Sequence, residues 1–349
     1  MKPKHLFATA LFCLIGLPLA FFISAAAQNS STGQEQNTST ASEYRLSGPY
    51  THGNLTVFLV HGKDQTTRTF LTLQEALAQK KVRVYETKNV NELAIRNFSN
   101  QDVYVQAGDI VRGGEQDRMI SIDFIVPPRS GRMPIGAYCV ESGRWERRGN
   151  EAPATFSSSE NFAVSKELKL AAKSEKSQDA VWQKVSLAQE KLSQNVGGSV
   201  RDRASESSLE LSVETSKVKQ TAAAYIDALS GILRKHQDVI GYVFAINGQV
   251  NNADIYASRA LFAKLWPKLL KASAVEAVAE VRRDVEIKPV SDEAIRGFLT
   301  ESEQPAASSK DVTRRVKLVT KEDDKNAFFE TQDRAQKDGW VHRNYIKKQ

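Results

Sequence analysis

The stretch 107–145, AGDIVRGGEQDRMISIDFIVPPRSGRMPIGAYCVESGRW, gathers the densest set of chemically capable side chains in the chain. Asp109 and Glu141 are candidates for a general acid and base, as in cleavage of a glycosidic bond, which needs two carboxylates at a defined separation. Cys139 is a lesser candidate, as a nucleophile. A thiolate needs a base or a cation beside it; Arg144 is the near cation, while His52, His61, His236 and His342 are scattered along the sequence. Gly108, Gly113 and Gly114 permit close backbone approach, so successive N–H groups can form an anion nest. Arg112, Gln116, Arg118 and Arg144 then suit a carboxylate or a phosphate. Trp145 lies beside them, either as a platform for a ligand or as a core anchor. A structural alternative stays open at each position. The arginines can pair with Asp109, Glu115 and Asp117, Cys139 can be a small core residue, and Glu141–Arg144 can be an internal salt bridge.

Other chemistries lack their signatures. There is no P-loop and no Gly-x-Gly-x-x-Gly after a strand. There is no His-x-x-x-His, no paired cysteine and no calcium-loop spacing, so no metal is assigned. Asp109, Glu115, Asp117 and Glu141 around a hard cation is the weakest option. No cofactor is indicated.

The elements that must hold these residues are mostly strands. Residues 55–60, 82–87, 92–98, 102–107, 119–126 and 134–141 are rich in Val, Ile, Tyr and Phe and are bounded by Gly, Asn, Ser and Pro. Thr72 followed by Glu75 predicts a capped short helix over 72–80. Residues 150–165 read as a Ser-rich connector. Val181, Val185, Ala188 and Leu192 mark one amphipathic helix face; Val218, Tyr225, Leu229 and Leu233 mark another. Between them, 197–212 reads as a loop. Residues 239–246 and 250–256 flank Asn247-Gly248, the strongest short hairpin signal. A long helix follows over 258–280, in which Pro267 predicts a kink or a restart. Ser291 caps one more helix, 301–310 reads as a linker, and 312–320, 327–332 and 340–346 are strands expected to return to the N-terminal sheet. The fold class expected is α+β: a mostly antiparallel sheet over 44–145 with packed amphipathic helices, and C-terminal strands closing back on it. Within a single domain, 44–349, the parts are a β-rich 44–150, a helical insertion 165–236, a hairpin plus helices 237–300 and C-terminal strands 311–349.

Compartment follows from the ends of the chain. Lys2 and Lys4, an apolar run over 6–27 and Ala25-Ala26-Ala27 are the three parts of a secretory signal peptide, 1–27. Residues 28–43, QNSSTGQEQNTSTASE, lack aliphatic bulk and read as a disordered leader. The protein is therefore expected to be exported, periplasmic or extracellular, with no stable membrane span after cleavage. Cys139 is then left alone, since Cys13 goes with the signal. A net charge of +7 over 349 residues is modest and unclustered, so no nucleic-acid partner is expected.

Several ordinary motifs in order resemble a known family. They are Gly53-Asn54-Leu55-Thr56-Val57-Phe58, Leu73-x-Glu75-Ala76-Leu77 and Val90-Asn91-Glu92-Leu93. They continue with Gly108-x-x-x-x-Gly113-x-x-Gln116-x-Arg118, Cys139-Val140-Glu141-x-Gly143-Arg144-Trp145, Gly241-Tyr242-Val243-Phe244-Ala245-Ile246-x-Gly248 and Leu265-Trp266-Pro267-Lys268-Leu269-Leu270. Together they resemble the ADP-ribosylglycohydrolase and rhodanese-phosphatase-superfamily associated domain. This chain departs from the pattern with Asp109 where Glu is usual, and it is more acidic at Glu115 and Asp117, where the pattern has a nearby Lys and an Asn. The resemblance implies a link to ADP-ribose or nicotinamide-nucleotide chemistry and no particular reaction. Three functions are therefore expected in order: binding of a small polar or anionic ligand, carboxylate-based hydrolysis, and protein interaction in the envelope.

Overall fold

The computed structural model describes residues 44–144, 156–283, 286–336 and 339–349. The signal-peptide and leader readings, and Trp145, lie outside the described residues. Along the chain, β1 (Arg45–His52) and β2 (Leu55–His61) precede β3 (Leu71–Thr72), α1 (Leu73–Ala78), β4 (Val82–Asn89) and β5 (Glu92–Asn97). Five strands follow: β6 (Val103–Val105), β7 (Asp109–Gly113), β8 (Arg118–Ile120), β9 (Phe124–Val126) and β10 (Met133–Cys139). Then come β11 (Phe156–Phe162), α2 (Lys166–Leu170), a π-helical turn over Ala171–Glu175, α3 (Gln178–Asn195), α4 (Leu209–Glu214) and α5 (Ser216–Leu229). The rest is β12 (Val239–Ile246), β13 (Gln249–Tyr256), α6 (Arg259–Ala279), α7 (Asp292–Ser302), β14 (Ala307–Asp311), β15 (Val316–Glu322), β16 (Asn326–Asp333) and β17 (Trp340–Lys347). The protein is α+β, with mostly antiparallel sheets.

The strands of 44–145 do not make one sheet. β1 and β2 join the C-terminal strands in an eight-stranded sheet of order β1-β2-β12-β13-β17-β16-β15-β14. A six-stranded sheet runs β11-β7-β8-β10-β5-β4, and β3-β6-β9 form a small third sheet. The run 119–126, expected as one strand, is divided between two of these sheets. The break is at Asp123, whose carboxylate accepts the Ala107 amide at 2.7 Å and is drawn into the interior. The C-terminal strands reach β1 and β2 only through the β12–β13 hairpin, because β17 pairs with β13.

Burial explains which local signals prevail. Every residue of β2 and β12 is buried, and alternate side chains feed two cores. Leu55, Val57 and Leu59 pack into the main core with α6; Phe58 and Val60 pack into a second with Ile295, Phe298 and Leu299 of α7. Helix α6 is not broken at Pro267. Leu261, Leu265, Trp266, Leu269 and Leu270 are buried on both sides of the proline. Burying each is worth about 1.5–3 kcal/mol, which outweighs a proline cost of about 3 kcal/mol. Two expected connectors are ordered elements. Residues 156–162 pair with β7 because Phe156 and Phe162 are buried. Ser208 caps α4, whose Leu209 and Val213 are buried. The linker 301–310 likewise ends in β14, an exposed edge strand. The caps foreseen at Thr72 and Ser291 both accept a backbone N–H, as does Ser258 ahead of α6, and Thr72 with Glu75 closes a full capping box.

Candidate functional site

The glycine turn after β7 and the end of β10 do come together, as a buried ionic web. Arg118, only 1% exposed, donates to the Val90 carbonyl at 2.7 Å and to Glu86 at 3.1 Å, and its Nη1 lies against Cys139 Sγ. Arg144 pairs with Glu141 at 2.8 Å and lies 3.8 Å from Asp117. Asp117 accepts the Gly113 amide, which fixes the turn. Arg112 pairs with Glu214 at 3.1 Å and Glu210 at 3.6 Å, both on α4. The arginines thus find carboxylates mostly outside the trio Asp109, Glu115 and Asp117. Asp109 sits apart from Glu141's web, bound to Lys268 at 2.7 Å and to the Gln106 amide. Gln116 is fully buried, and neither amide atom has a hydrogen-bond partner among the described residues.

This web does not offer reactive groups to solvent. Glu141 is fully buried. Burial would raise its pKa, but hydrogen bonds from Arg144 and Ser205 outweigh that and hold it below the usual carboxylate range. Burial pushes the Cys139 thiol up to about 11, more than Arg118 lowers it, so the group is a thiol near neutrality. Its backbone is gripped by the Gln178 side chain, which accepts from the Cys139 amide and donates to its carbonyl, each at 2.9 Å.

A second polar centre lies where the inner face of β13, β16 and β17 meets β6, β9 and α2. His342 stands between two carboxylates, Nδ1 donating to Asp123 at 2.6 Å and Nε2 to Asp254 at 3.0 Å. Burial would lower the imidazole's pKa; the charge of Asp123 and the hydrogen bonds to both carboxylates overcome it and hold His342 raised. Both acids are lowered, since the interaction with His342 outweighs the effect of their burial. Asp123 also accepts from Tyr104 and Thr331, and Asp254 from Asn252 and Asn344. The ring of His342 stacks on Tyr256 at 4.5 Å. Every carboxylate oxygen is therefore met, the condition under which a buried charged network is stable.

Lys173 connects this centre to the outside. It lies on the π-helical turn that extends α2, an irregularity found frequently at functional sites. Its Nζ donates to Asn344 Oδ1 at 2.7 Å and sits 4.3 Å from the Phe329 ring centre. Among the described residues Asn344 is its one hydrogen-bond partner, although an ammonium has three donors. Burial pushes the amine down to about 8, despite the pull of Asp123 and Asp254. On the inner side, Lys173 and Ala172 line a cleft of about 10 Å³ shared with His342, Asp254 and Asn344. On the outer side, the same two residues line a groove of about 370 Å³ running between β10 and β14. Its walls mix Phe124, Ile135 and Phe329 with Asn91, Ser121 and Tyr138. Lys176 and Lys310 add positive charge, and the one acid of the lining, Asp311, is paired with Arg334.

Little in the sequence marks this site. β13 and β17 alternate polar and apolar residues, a pattern that ordinarily marks one wet face. Here the face carrying Asn252, Asp254, His342 and Asn344 is buried, as are Ala253, Ile255 and Tyr345 on the other. The π-turn has no signature in the sequence KELKLAAKSEK. The available signal was the pair Asp254 and His342 inside strands otherwise made of core residues.

Among the described residues no group of His, Cys, Asp and Glu is arranged to hold a metal ion, and no helix is long and apolar enough to cross a membrane. The model of the ARG and Rhodanese-Phosphatase-superfamily-associated Protein domain matches residues 43–346. No curated protein and no solved structure matches this chain.

Proposed function

Because the chain belongs to the ARG and Rhodanese-Phosphatase-superfamily-associated Protein domain family, and from the geometry of its groove, we propose that it binds a small anionic ligand seated on Lys173. One observation carries this reading. Lys173 is an ammonium with a single hydrogen-bond partner among the described residues, placed between an open groove and a rigid imidazolium–carboxylate centre. A groove of about 370 Å³ falls in the range of small-molecule sites, roughly 300–1,000 Å³. Three lysines in the lining favour a carboxylate or phosphate, and the apolar walls favour a ring or a ribose beside it. The link implied by the family resemblance makes ADP-ribose and nicotinamide nucleotides the first probes. The ligand site is thereby moved from the turn to the groove. Arg118 and Glu141 are enclosed and ion-paired, so a ligand has no approach to them in this conformation. Hydrolysis by Asp109 and Glu141 gains no support for the same reason. Export remains part of the proposal and rests on the sequence 1–27 alone.

The test is a thermal-shift screen of the protein against ADP-ribose, nicotinamide nucleotides, sugar phosphates and simple carboxylates. A saturable stabilisation that disappears in Lys173→Met supports the groove. Stabilisation that survives Lys173→Met but is lost in Arg112→Ala would return the site to the turn.

A further inference from the structure

At the opposite end of the eight-stranded sheet a different constellation is assembled, independent of the groove. In the β1–β2 ladder Arg45 faces His61 and Ser47 faces Leu59, so Ser47 is the diagonal neighbour of His61 on the same face. Between Ser47 and Tyr50 the register shifts, and a bulge of this kind re-aims side chains. The bulge requires Gly48, which has φ +129 and whose Cβ would meet the Val57 carbonyl oxygen at 2.9 Å. Asp238 is brought in from the start of β12 by the hydrogen bond from the Gly62 amide to its carbonyl, 2.9 Å.

The result is a continuous relay. His61 Nδ1 donates to Asp238 Oδ1 at 2.7 Å, which leaves the Nε2 lone pair to accept the Ser47 hydroxyl, also at 2.7 Å. The imidazole is almost fully buried, and its ring is held edge-on to His236 at 5.1 Å. His236 is in turn tied to the Tyr50 hydroxyl at 3.0 Å. Ser47 itself is half-buried on an edge strand. A nucleophile, a base and a group that orients the base within hydrogen-bond reach are the three parts of an activated serine, recognised by geometry and not by chain order. Beside His61 and Asp238 opens a cleft of about 690 Å³, whose lining carries Arg45, Lys63 and Arg343 against the single carboxylate of Asp238, with Tyr44 and Trp340 as aromatic walls.

We propose that Ser47, His61 and Asp238 form a hydrolytic triad acting on carboxylic esters that carry an anionic group. Ser47 Oγ adds to the ester carbonyl carbon as its proton passes to His61 Nε2. Collapse of the adduct breaks the bond to the alcohol, which departs with that proton. Water then adds to the acyl group on Ser47, giving a proton to His61; the carboxylic acid leaves and Ser47 regains its hydrogen. Asp238 is half exposed and shared with Arg45, so it stabilises the imidazolium less than a buried partner would. Turnover is therefore slow, and esters with good leaving groups are the suitable probes.

The experiment treats the purified chain with a fluorophosphonate and maps the labelled peptide by mass spectrometry. In parallel, hydrolysis of p-nitrophenyl acetate is compared with that of mono-p-nitrophenyl succinate. The expected result is a single adduct on Ser47 and a several-fold preference for the succinate ester. Hydrolysis should fall at least a hundredfold in Ser47→Ala and at least tenfold in Asp238→Asn, with melting temperatures kept near that of the parent. Absence of label on Ser47, or ester hydrolysis that persists in a folded Ser47→Ala protein, overturns the proposal. Equal rates on the two esters overturn the assignment of an anionic substrate.

Discussion

The arginine web after β7 and the His342 centre are both buried assemblies of opposite charges, yet they differ in what they leave over. In the web each arginine is matched to carboxylates and backbone oxygens, and Arg118 and Glu141 are out of reach of solvent. In the centre the carboxylates are fully matched, but one cation on its rim, Lys173, has a single hydrogen-bond partner among the described residues and faces an open groove. The lesson is that density of charge in a sequence does not locate a site. A site needs a polar group whose partners are incomplete and a cavity that brings a ligand to it.

Removing charges from the two regions should sharpen this difference. The largest loss is expected for His342→Ala, which leaves Asp123 and Asp254 buried without the cation that stands between them. Breaking a buried pair costs about 3–5 kcal/mol, and with two carboxylates left without that cation the upper part of that range applies. The check is the urea midpoint at neutral pH. Arg118→Ala should cost about 3 kcal/mol by leaving Glu86 and the Val90 carbonyl unmatched. In the folded fraction it should not change affinity for any ligand of the groove, as calorimetry would show. Equal losses of affinity in the two regions would erase the distinction drawn here.

Lys173→Met should behave in the opposite way. Stability should change by less than about 1 kcal/mol, because a partly desolvated ammonium is exchanged for an apolar side chain of similar length. Affinity for an anionic ligand should fall at least about tenfold, or about 1.4 kcal/mol, in the same titration. A pH-dependent effect concerns Glu276, which accepts from the Lys166 amide and Asn251 and which burial raises to about 7. Its folded pKa lies above the unfolded one, so the native state binds more protons between about pH 4.5 and 7, and stability falls across that interval as pH rises. Glu276→Gln should flatten this slope in denaturation curves taken from pH 4 to 8.

Much of the architecture was legible because it rests on local signals. The capping box at Thr72 and Glu75, the Asn247-Gly248 turn and the uninterrupted apolar run of β12 each specify their element without help from the rest of the chain. What could not be read depends on partners far away in sequence. The division of 119–126 between two sheets follows from Asp123 being drawn to Ala107 and His342, and His342 lies 219 positions away. The continuity of α6 through Pro267 follows from the burial of Leu261, Leu265, Trp266, Leu269 and Leu270 before and after it. Of the candidate residues of the turn, Arg144 pairs with Glu141 and Arg118 lies against Cys139, whereas Asp109 pairs with Lys268 outside that web. Their spacing did not tell that α4, expected as loop, supplies the carboxylates that hold Arg112. The strand over 340–346 was legible, but not that its His342 and Asn344 would be buried in a polar centre.

The central claim is that Lys173 is a reachable amine of lowered pKa at the floor of a ligand groove. Competitive acetylation with trace acetic anhydride from pH 7 to 10, followed by peptide mapping, measures this directly, since only the unprotonated amine reacts. The account predicts that Lys173 reacts as a group titrating near pH 8, ahead of the chain's exposed lysines, and is protected by any ligand that stabilises the protein. A Lys173 that stays unmodified throughout, or that titrates with the exposed lysines above pH 10, would contradict it.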